Sequence, residues 1–457
     1  MQETRKTPTP SRRQFLRAVG AAVGCALSPP LAIGAGRAYS LSDEDDAFLD
    51  ELERRGCLFF WEQGSADTGQ VRDRARNHLG GEPDPRRMAS IASTGFGLTA
   101  LCIADRRGYL PRAQIVERVR ATLRWHLNTM PEVHGFFFHF TDLETGARYP
   151  GSELSSIDTT ILLCGALTAK AHFDDPEIKA LAQQIYERLD WPWLLDGGAT
   201  FSMGWQPQTG FLDARWEHYC ELMMIYLLAI ASPTHPVAPD YWNHFTRPIV
   251  DYDGFRYISG ADPLFVHQYS HAWFDFRHKR DAYANYFQNS VAATRAHKAF
   301  CLSLAQWYNE DYWGVTSSDS IHGYIAWGGP PPLGPPDGTV VPCAAGGSLA
   351  FVPHDCLHVL RAMQARWGAR AWGRYGFADA FHPAANWYDP DVIGIDQGIT
   401  VLMAENLRTG LIWDTFMSNP ECARALRLVG FKDDGGFKDD DGPTASNAVG
   451  ERMMTVL

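Results

Sequence analysis

Paired cysteines are missing from this sequence. Its nine cysteines are scattered singly, with no CxxC pair, and this excludes a zinc ribbon or a CxxC redox motif. Cys25 lies within the first 38 residues, and the other eight are spread along the rest of the chain. We therefore expect most of these cysteines to be small, buried apolar groups rather than disulfide partners.

An excess of positive charge is also missing. The chain has 41 Lys and Arg residues against 53 Asp and Glu residues, which gives a formal net charge of −12. Six of the basic residues lie within residues 1–38, so the remainder is more acidic still. Such a balance repels phosphate groups and argues against nucleic acid or an anionic membrane surface as a partner. A neutral substrate fits better.

The sequence has no flexible linker and no long apolar run that could form a membrane-spanning helix. We therefore predict one domain over residues 39–431. The protein is expected to be a monomer. The Pro- and Gly-rich stretch GGPPPLGPPDG, residues 328–338, is too short for a tether and is predicted to be a loop over a cleft. The C-terminal residues 432–457 are polar and acidic, and they predict a mobile tail.

The N-terminal stretch SRRQFLRAVGAAVGCALSPPLAIGAGRA has the features of an export signal. It combines Arg12 and Arg13 with Phe15, Leu16, a short apolar run and small residues. This order resembles a twin-arginine signal, whose machinery exports proteins that have already folded. We expect cleavage after Ala38 and a periplasmic location. A lipoprotein anchored through Cys25 is the weaker alternative.

Helical periodicity recurs along the chain, whereas long strands are scarce. The short stretches FFFHF and FRYI are the best strand candidates. The fold class is therefore all-α, and a closed toroid is favoured over a solenoid because no fixed repeat is present. The helical pattern covers residues 43–63, 88–107, 111–130, 157–173, 176–190, 214–231, 281–309, 354–367 and 396–408.

Residues 213–233, DARWEHYCELMMIYLLAIASP, predict an apolar helix with two carboxylates. Glu217 and Glu221 are four residues apart and would share one helix face. An apolar setting and a neighbouring like charge both favour a protonated carboxyl group, which suits a general acid. The alternative is that each glutamate is a core residue satisfied by an Arg or a Tyr.

A second carboxylate lies where the helical pattern of residues 396–408 begins. Asp396, in the phrase IGIDQGITVLMAEN, could cap the helix and stay ionised through the helix dipole. An ionised carboxylate suits a general base, and the alternative is an ordinary N-cap. Two carboxyl groups in opposite protonation states are what acid–base hydrolysis of a glycosidic bond needs.

The phrase GSELSSIDTTILLCGAL adds two further carboxylates at the start of a predicted helix. Glu153 and Asp158 lie five residues apart. One of them could cap the helix, which would leave the other to bind substrate hydroxyls. Trp327 and Asp337, which lie next to and within the Pro- and Gly-rich loop, are further predicted substrate contacts.

The stretch FVHQYSHAWFDFR, residues 265–277, permits two interpretations. On a helix, His267, His271 and Asp275 could converge on one metal ion. Alternating rings and polar groups also suit a sugar-binding wall. A zinc-protease motif would have Glu directly after His267, and this chain has Gln268 there. We therefore predict no metal and no cofactor. We assign substrate binding to His267, Gln268, Tyr269 and His271, with Asp275 and Arg277 pairing behind them.

Many long phrases in one order resemble the glucoamylase-like family, which includes bacterial β-1,2-glucanases. The resemblance runs from about residue 48 to 431 and implies an (α/α)6 barrel with short hairpins and long loops around a wide cleft, inverting hydrolysis of β-1,2-glucan and no metal. The phrases include GFFFHFTDLETG, SELSSIDTTILL, WEHYCELMMIYLLAIASPTHP, PLFVHQYSHAWFDFR, NSVAATRAHKAF, DGTVVPCAAGGSLAF, YGFADAFHP and GIDQGITVLMAENLRTGLIW.

The same resemblance assigns roles to two residues. Glu221 matches the family's general acid and Asp396 its proposed general base, with Glu217 as the fallback for Glu221. Ala231 departs from the family, which commonly has Gly at that point of the SPTHP phrase. The partner implied is a β-glucan, cleaved internally or with release of sophorose. The alternatives are a noncatalytic glycan-binding barrel and a glycosidase for another glucan linkage.

Overall fold

A computed structural model describes residues 40–78, 82–261 and 263–434. The described chain is helix-rich, and most of the predicted helices are confirmed within a few residues at each end. The α-helices are α1 Asp43–Glu62, α2 Ile91–Arg107, α3 Arg112–Asn128, α4 Ser156–His172, α5 Pro176–Arg188, α6 Met223–Ile230, α7 Tyr269–Trp273, α8 Tyr286–Ser303, α9 Pro342–Gly346, α10 Pro353–Ala371, α11 Gly394–Arg408, α12 Leu411–Met417 and α13 Pro420–Leu428.

The strands are short and pair antiparallel in small sheets. Both predicted strand regions are confirmed, at Phe136–Phe137 with Phe140–Asp142 and at Phe255–Ile258. The strands are β1 Arg74–Arg76, β2 Met88–Ser90, β3 Glu132–Val133, β4 Phe136–Phe137, β5 Phe140–Asp142, β6 Leu154–Ser155, β7 Gly204–Gln206, β8 Gly210–Phe211, β9 Ile249–Tyr252, β10 Phe255–Ile258, β11 Lys279–Arg280, β12 Trp372–Gly373, β13 Gly376–Phe377, β14 Phe381–His382, β15 Trp387–Tyr388, β16 Asp391–Ile393 and β17 Lys432–Asp433.

One hydrophobic core runs through most of the described chain, from Phe48 in α1 to Leu426 in α13. The eight described cysteines are all buried and unpaired, which confirms the expectation of small apolar groups. Among the described residues, no helix combines the length and the apolar character needed to cross a membrane.

The two ends of the chain lie largely beyond the described part. The predicted export signal at 1–38 lies outside the described residues, as does the tail from residue 435 onward. The first two residues of the predicted tail form β17, which pairs with β11.

Helices α2 and α4 approach each other closely because glycines face the contact. A Cβ on Gly165 would lie 2.1 Å from the carbonyl oxygen of Gly95, and a Cβ on Gly95 would lie 2.4 Å from that of Ile161. Both distances are far inside van der Waals contact, so neither position can carry a larger side chain without moving a helix backbone. This packing fixes the N-terminal ends of both helices, where Ser90 and Ser155 are the N-caps.

We expect Gly165→Ala to lower the free energy of unfolding by about 1–3 kcal/mol, because the added methyl group must separate two helix backbones. Urea denaturation measures the change. The control is Gly368→Ala in α10, where the nearest atom to the new Cβ is 3.6 Å away. That variant should gain about 0.5–1 kcal/mol from helix propensity. Equal effects at the two positions would contradict the close packing of α2 and α4.

His297 in α8 anchors the segment that leads to the Pro- and Gly-rich loop. Its Nε2 accepts a hydrogen bond from the N–H of Val315 at 3.0 Å, and its Nδ1 donates to the carbonyl oxygen of Gly329 at 2.7 Å. The ring must be neutral to do both. Burial lowers the pKa of His297 to about 4, and Tyr257 Oη donates to the carbonyl oxygen of Pro330 nearby.

We expect the stability that His297 contributes to fade in acid. Its pKa is about 4 in the fold against 6.5 in the unfolded chain, so its contribution is complete above pH 6.5 and falls as the pH drops toward 4. The shift corresponds to about 3 kcal/mol. Urea denaturation of the wild type and His297→Asn should therefore show a stability difference that shrinks by that amount. The exposed His354→Asn is the control, and a difference independent of pH would contradict the assignment.

Candidate active site

Glu221 lies on the wall of a cavity that, with the solvent space at its open side, encloses about 590 Å³. Its side chain is buried, with the residue only 4% exposed. Two other carboxylates, Glu153 and Asp158, lie on the same wall. The remaining lining is almost entirely apolar and consists of Ser155, Ile157, Met203, Leu212, Ala214, Trp216, Cys220, Ala261, Phe265 and Val266. The structure thus brings together three of the carboxylates that the sequence singled out.

The residues before Glu221 form pairings across the chain and no helix. Helix α6 begins only at Met223. The N–H of Trp216 bonds to the carbonyl oxygen of Phe201, and the N–H of Tyr219 bonds to that of Thr246. Ser270 Oγ then donates to the carbonyl oxygen of Glu221 at 2.7 Å. These bonds use backbone groups that a helix would need, and they hold Glu221 at the cavity.

The predicted helix face shared by Glu217 and Glu221 is therefore wrong. Glu217 lies on the surface with 58% of its side chain exposed, while Glu221 is buried. A helix would have placed the two carboxylates on one face, one turn apart. Glu217 has no place on the cavity wall in this structure, which removes the basis for its use as a fallback.

Glu153 and Asp158 reach the cavity from the junction of β6 and α4. Ser155 is the N-cap of α4, and its Oγ accepts from the N–H of Asp158 at 3.2 Å and donates to Asp158 Oδ2 at 2.6 Å. Strand β6 pairs with β7, with Ser155 opposite Gly204. A Cβ on Gly204 would lie 2.2 Å from the carbonyl oxygen of Leu154, so only glycine allows this close approach.

His139 lies between the two carboxylates, and its role was not predicted from the sequence. Its Nδ1 lies 3.2 Å from Glu153 Oε1, and its Nε2 lies 3.5 Å from Asp158 Oδ2. The N–H of His139 also bonds to the carbonyl oxygen of Glu153 at 2.8 Å. The only signal in the sequence is one polar residue within the apolar run FFFHF, and this does not reveal its partners.

Asp396 lies in a different place from Glu221. It is buried in the first turn of α11, where Ile393 is the N-cap and no side chain caps the helix. The N-cap alternative for Asp396 is therefore wrong. Asp396 lines a second, smaller cavity together with Asp379 and Cys343. Neither Glu221 nor the other two carboxylates of the first cavity lines this one.

Asp379 and Asp396 form a carboxyl pair. Burial raises the pKa of Asp379 well above its usual range, and the charges of Asp396, Asp389 and Asp319 act in the same direction. A hydrogen bond joins the side chains of Asp379 and Asp396. Asp379 is therefore the group that holds a proton in this pair, and it shares that proton with Asp396. No local pattern in the sequence singles out Asp379.

A third cluster of carboxylates contains oxygen ligands of the kind that bind Ca²⁺ or Mg²⁺. Asp319, Asp389 and Asp391 each place a carboxylate oxygen within 4.8 Å of the others. Two guanidinium groups already compensate this charge: Arg74 bonds to Asp319, and Arg86 bonds to Asp391 at 2.6 and 2.8 Å. Burial, followed by the charge of Asp319, raises the pKa of Asp389, so protonation compensates it further.

The predicted sugar-binding wall is not on this cavity. His267, Gln268, Tyr269 and His271 are each at most 3% exposed, and none lines the cavity. Their place on the wall is taken by the preceding residues, Phe265 and Val266. The polar groups in this stretch face other buried groups, because a 3₁₀ turn ending at His267 and a separate short helix, α7, replace the continuous helix that was assumed.

The two histidines do not converge on one point. His267 Nε2 lies 3.2 Å from Ser259 Oγ, and His271 Nε2 lies 3.1 Å from Ser290 Oγ. Burial lowers the pKa of each ring to about 3, so both are neutral. Gln268 donates to the carbonyl oxygen of Ala344 at 3.0 Å. The predicted pairing of Asp275 with Arg277 is confirmed at 2.9 Å.

Trp327 and Asp337, the two substrate contacts predicted near the Pro- and Gly-rich loop, each form a hydrogen bond with a residue close in the sequence. Trp327 is 1% exposed, and its Nε1 donates to Ser318 Oγ at 3.2 Å. Asp337 Oδ1 accepts from the N–H of Thr339 at 2.8 Å. Trp327 therefore packs in the core and presents no exposed ring face to a sugar. The role of Asp337 stays a prediction.

Comparison with known proteins shows which family of proteins this chain is similar to. A sequence model of the glycoamylase family, described as "putative glucoamylase", matches residues 213–420. That segment contains both Glu221 and Asp396. A curated protein of Parabacteroides distasonis, named exo β-1,2-glucooligosaccharide sophorohydrolase (non-reducing end), is 27% identical over 435 residues and covers 86% of this chain. The chain spans 58% of the length of that relative.

Two solved structures share the fold over nearly their whole length. A "putative glucoamylase" from Bacteroides caccae is 30% identical, with a TM-score of 0.78, 85% of this chain covered and 100% of the other. An endo-β-1,2-glucanase from Chitinophaga pinensis, solved with sophorotriose and glucose, is 27% identical, with a TM-score of 0.79 and coverages of 86% and 99%. With this degree of identity over an entire solved chain, and with the family's sequence model spanning the segment that carries Glu221, the chain belongs to the glycoamylase family.

Proposed function

We propose that the chain is a glycoside hydrolase that cleaves β-1,2-linked glucan. The observation that carries the proposal is the buried Glu221 carboxyl group on a cavity shared with Glu153 and Asp158. The names of the Parabacteroides distasonis and Chitinophaga pinensis relatives support the β-1,2 linkage. An apolar wall favours an uncharged carboxyl group, which can donate a proton to the leaving oxygen.

We assign the general acid to Glu221 and the general base to Asp396. Because these two residues line separate cavities, proton transfer between Asp396 and the attacking water runs through a substrate hydroxyl or a further water. The protonated Asp379 supports this role, since it leaves Asp396 as the ionised partner of the pair. Glu153 is the competing base, because it shares the cavity with Glu221.

The architecture and the location of the protein follow from the same resemblance and from the N-terminal residues. We propose that the helices close into an (α/α)6 barrel around the cleft, in agreement with the helix-rich fold and the solved relatives. The mature protein, which starts after Ala38, would act as a monomer in the periplasm. The twin-arginine pattern at Arg12 and Arg13 supports export after folding.

The proposed activity is tested with purified mature protein on linear β-1,2-glucan and on β-1,3-, β-1,4-, β-1,6- and α-1,4-glucans. We expect products from the β-1,2-glucan alone, separated by chromatography. Sophorose as the sole early product indicates attack at a chain end, and a ladder of sizes indicates internal cleavage. Binding of β-1,2-glucan without products would instead identify a noncatalytic glycan-binding protein. Products from another glucan would reassign the linkage.

The configuration of the first product tests the mechanism. Single displacement with Glu221 and a relayed base inverts the anomeric centre, so β-1,2-glucan should first give the α-anomer, as followed by NMR before mutarotation. Retention needs a second carboxyl group about 5–5.5 Å from the acid. A β-anomer would therefore replace Asp396 with Glu153 or Asp158 as the partner of Glu221.

A further inference from the structure

His139 lies between two carboxylates of the cavity and is held there by both backbone and side chain. Its N–H bonds to the carbonyl oxygen of Glu153, and its ring stacks on that of Phe140 with centroids 3.7 Å apart. The ring nitrogens then point at Glu153 on one side and at Asp158 on the other. His139 itself is absent from the cavity lining, so it acts on those carboxylates from behind.

The two contacts set the protonation state of the ring. A neutral imidazole has one N–H donor and one acceptor nitrogen, so it can donate to one carboxylate only, and its other nitrogen would face a second acceptor. An imidazolium donates to both. Asp158 Oδ2 already accepts from Ser155 Oγ, and His139 Nε2 lies within ion-pair distance of the same oxygen, at 3.5 Å. A positive charge on the ring is attracted to both carboxylates.

We propose that His139 is a positioning residue which, as an imidazolium, bridges Glu153 and Asp158 and holds both carboxylates as acceptors for the hydroxyl groups of the bound glucan. The inference rests on the proposed function. Without the cation, three carboxylates would share one largely apolar wall with no positive charge between them. With it, Glu153 and Asp158 are held in place with acceptor oxygens for the sugar hydroxyls.

The charged groups around His139 come from several elements. Glu153 and Asp158 flank it directly, Glu221 and the buried Cys220 lie on the same cavity, and the Arg148 guanidinium lies 5.1 Å from the ring of Phe138. Burial raises the pKa of the Cys220 thiol well above its usual range, and the charge of Glu221 adds to this. The thiol is therefore neutral and adds no negative charge beside the carboxylates.

The test compares the wild type with His139→Asn and His139→Lys on β-1,2-linked gluco-oligosaccharides of defined length. Asn has no positive charge, and both of its N–H donors are on one nitrogen and do not span the two carboxylates, so we expect KM to rise about tenfold, with kcat changed less than threefold. Lys keeps the positive charge and should recover part of that loss. The control is His134→Asn, since His134 is an exposed residue that pairs with Asp190 at 2.9 Å. Its KM should equal that of the wild type.

A second readout does not depend on turnover. In histidine-selective ¹⁵N NMR of the full mature chain, the His139 signal is the one that is missing from the spectrum of His139→Asn. We expect this signal to have the chemical shift of an imidazolium at pH 7. An unchanged KM in His139→Asn, with an active wild type, would overturn the positioning role and leave the proposed function standing. A wild type inactive on β-1,2-glucan would overturn the proposed function instead. A neutral ring at pH 7 would overturn the bridge in either case.

Discussion

Replacement of Glu221 by glutamine is expected to lower turnover at least about a hundredfold, as for the loss of a general acid. Glutamine keeps the shape of the side chain and cannot protonate the leaving oxygen. The fold should be unchanged, because the backbone of this segment is held by the bonds of Tyr219 and Ser270. Initial rates on β-1,2-linked gluco-oligosaccharides measure the loss, and thermal unfolding checks the fold.

Glu217→Gln is the matched control for this variant. It makes the same chemical change four residues earlier, at a carboxylate that the structure places on the surface. We expect activity within about twofold of the wild type, since surface substitutions of this kind have small effects. Near-normal activity in Glu221→Gln, or a large loss in Glu217→Gln, would remove Glu221 from the mechanism.

Replacement of Arg408 by methionine is expected to cost about 3–5 kcal/mol of stability, because it removes the guanidinium that hydrogen-bonds the buried Glu53 and leaves that carboxyl with the more distant Arg107, 3.7 Å away. Arg408 lies in α11 with 3% of its side chain exposed. It bonds to Glu53 at 2.5 Å, to Asp46 at 2.8 Å and to Asp50 at 3.2 Å, all in α1. Urea denaturation at pH 7 measures the change.

The loss of stability in Arg408→Met depends mainly on the Glu53 carboxyl group. It is fully buried, and burial raises its pKa well above the usual range, with the charge of Glu405 adding to the rise. The double variant Glu53→Gln, Arg408→Met removes both charges and should be more stable than Arg408→Met alone. A loss below about 1 kcal/mol in Arg408→Met would show that the network linking α1 to α11 adds little to stability.

Helices were the part of the fold that the sequence predicted best. Long amphipathic runs with a clear start, such as α1 after Ser42 and α5 after Asp175, have their caps and their buried faces in the local sequence. The failure at residues 213–222 has a different cause. That stretch has helix formers and apolar residues at helical spacing, yet its backbone groups bond to Phe201 and Thr246. Such distant partners leave no trace in local periodicity.

In the candidate site, too, residues that stand out in the local sequence were predicted, and residues that depend on distant partners were not. Glu153, Asp158 and Glu221 stand out in the sequence because each is a carboxylate in or beside an apolar run, and the structure brings them to one cavity. The stretch around His267 misled for a related reason: alternating rings and polar groups suit a core segment as well as a sugar wall. His139 could not be predicted, because its position depends on pairing between residues 138 and 154.

The most direct test of the central claim is a crystal structure of Glu221→Gln with a β-1,2-linked gluco-oligosaccharide. We predict that the sugar chain occupies the cavity lined by Glu153, Asp158 and residue 221, with a glycosidic oxygen within about 3.2 Å of the side chain at 221. Hydroxyl groups of one glucose unit should bond to Glu153 or Asp158. An oligosaccharide bound elsewhere, with this cavity unoccupied, would contradict the assignment of the active site.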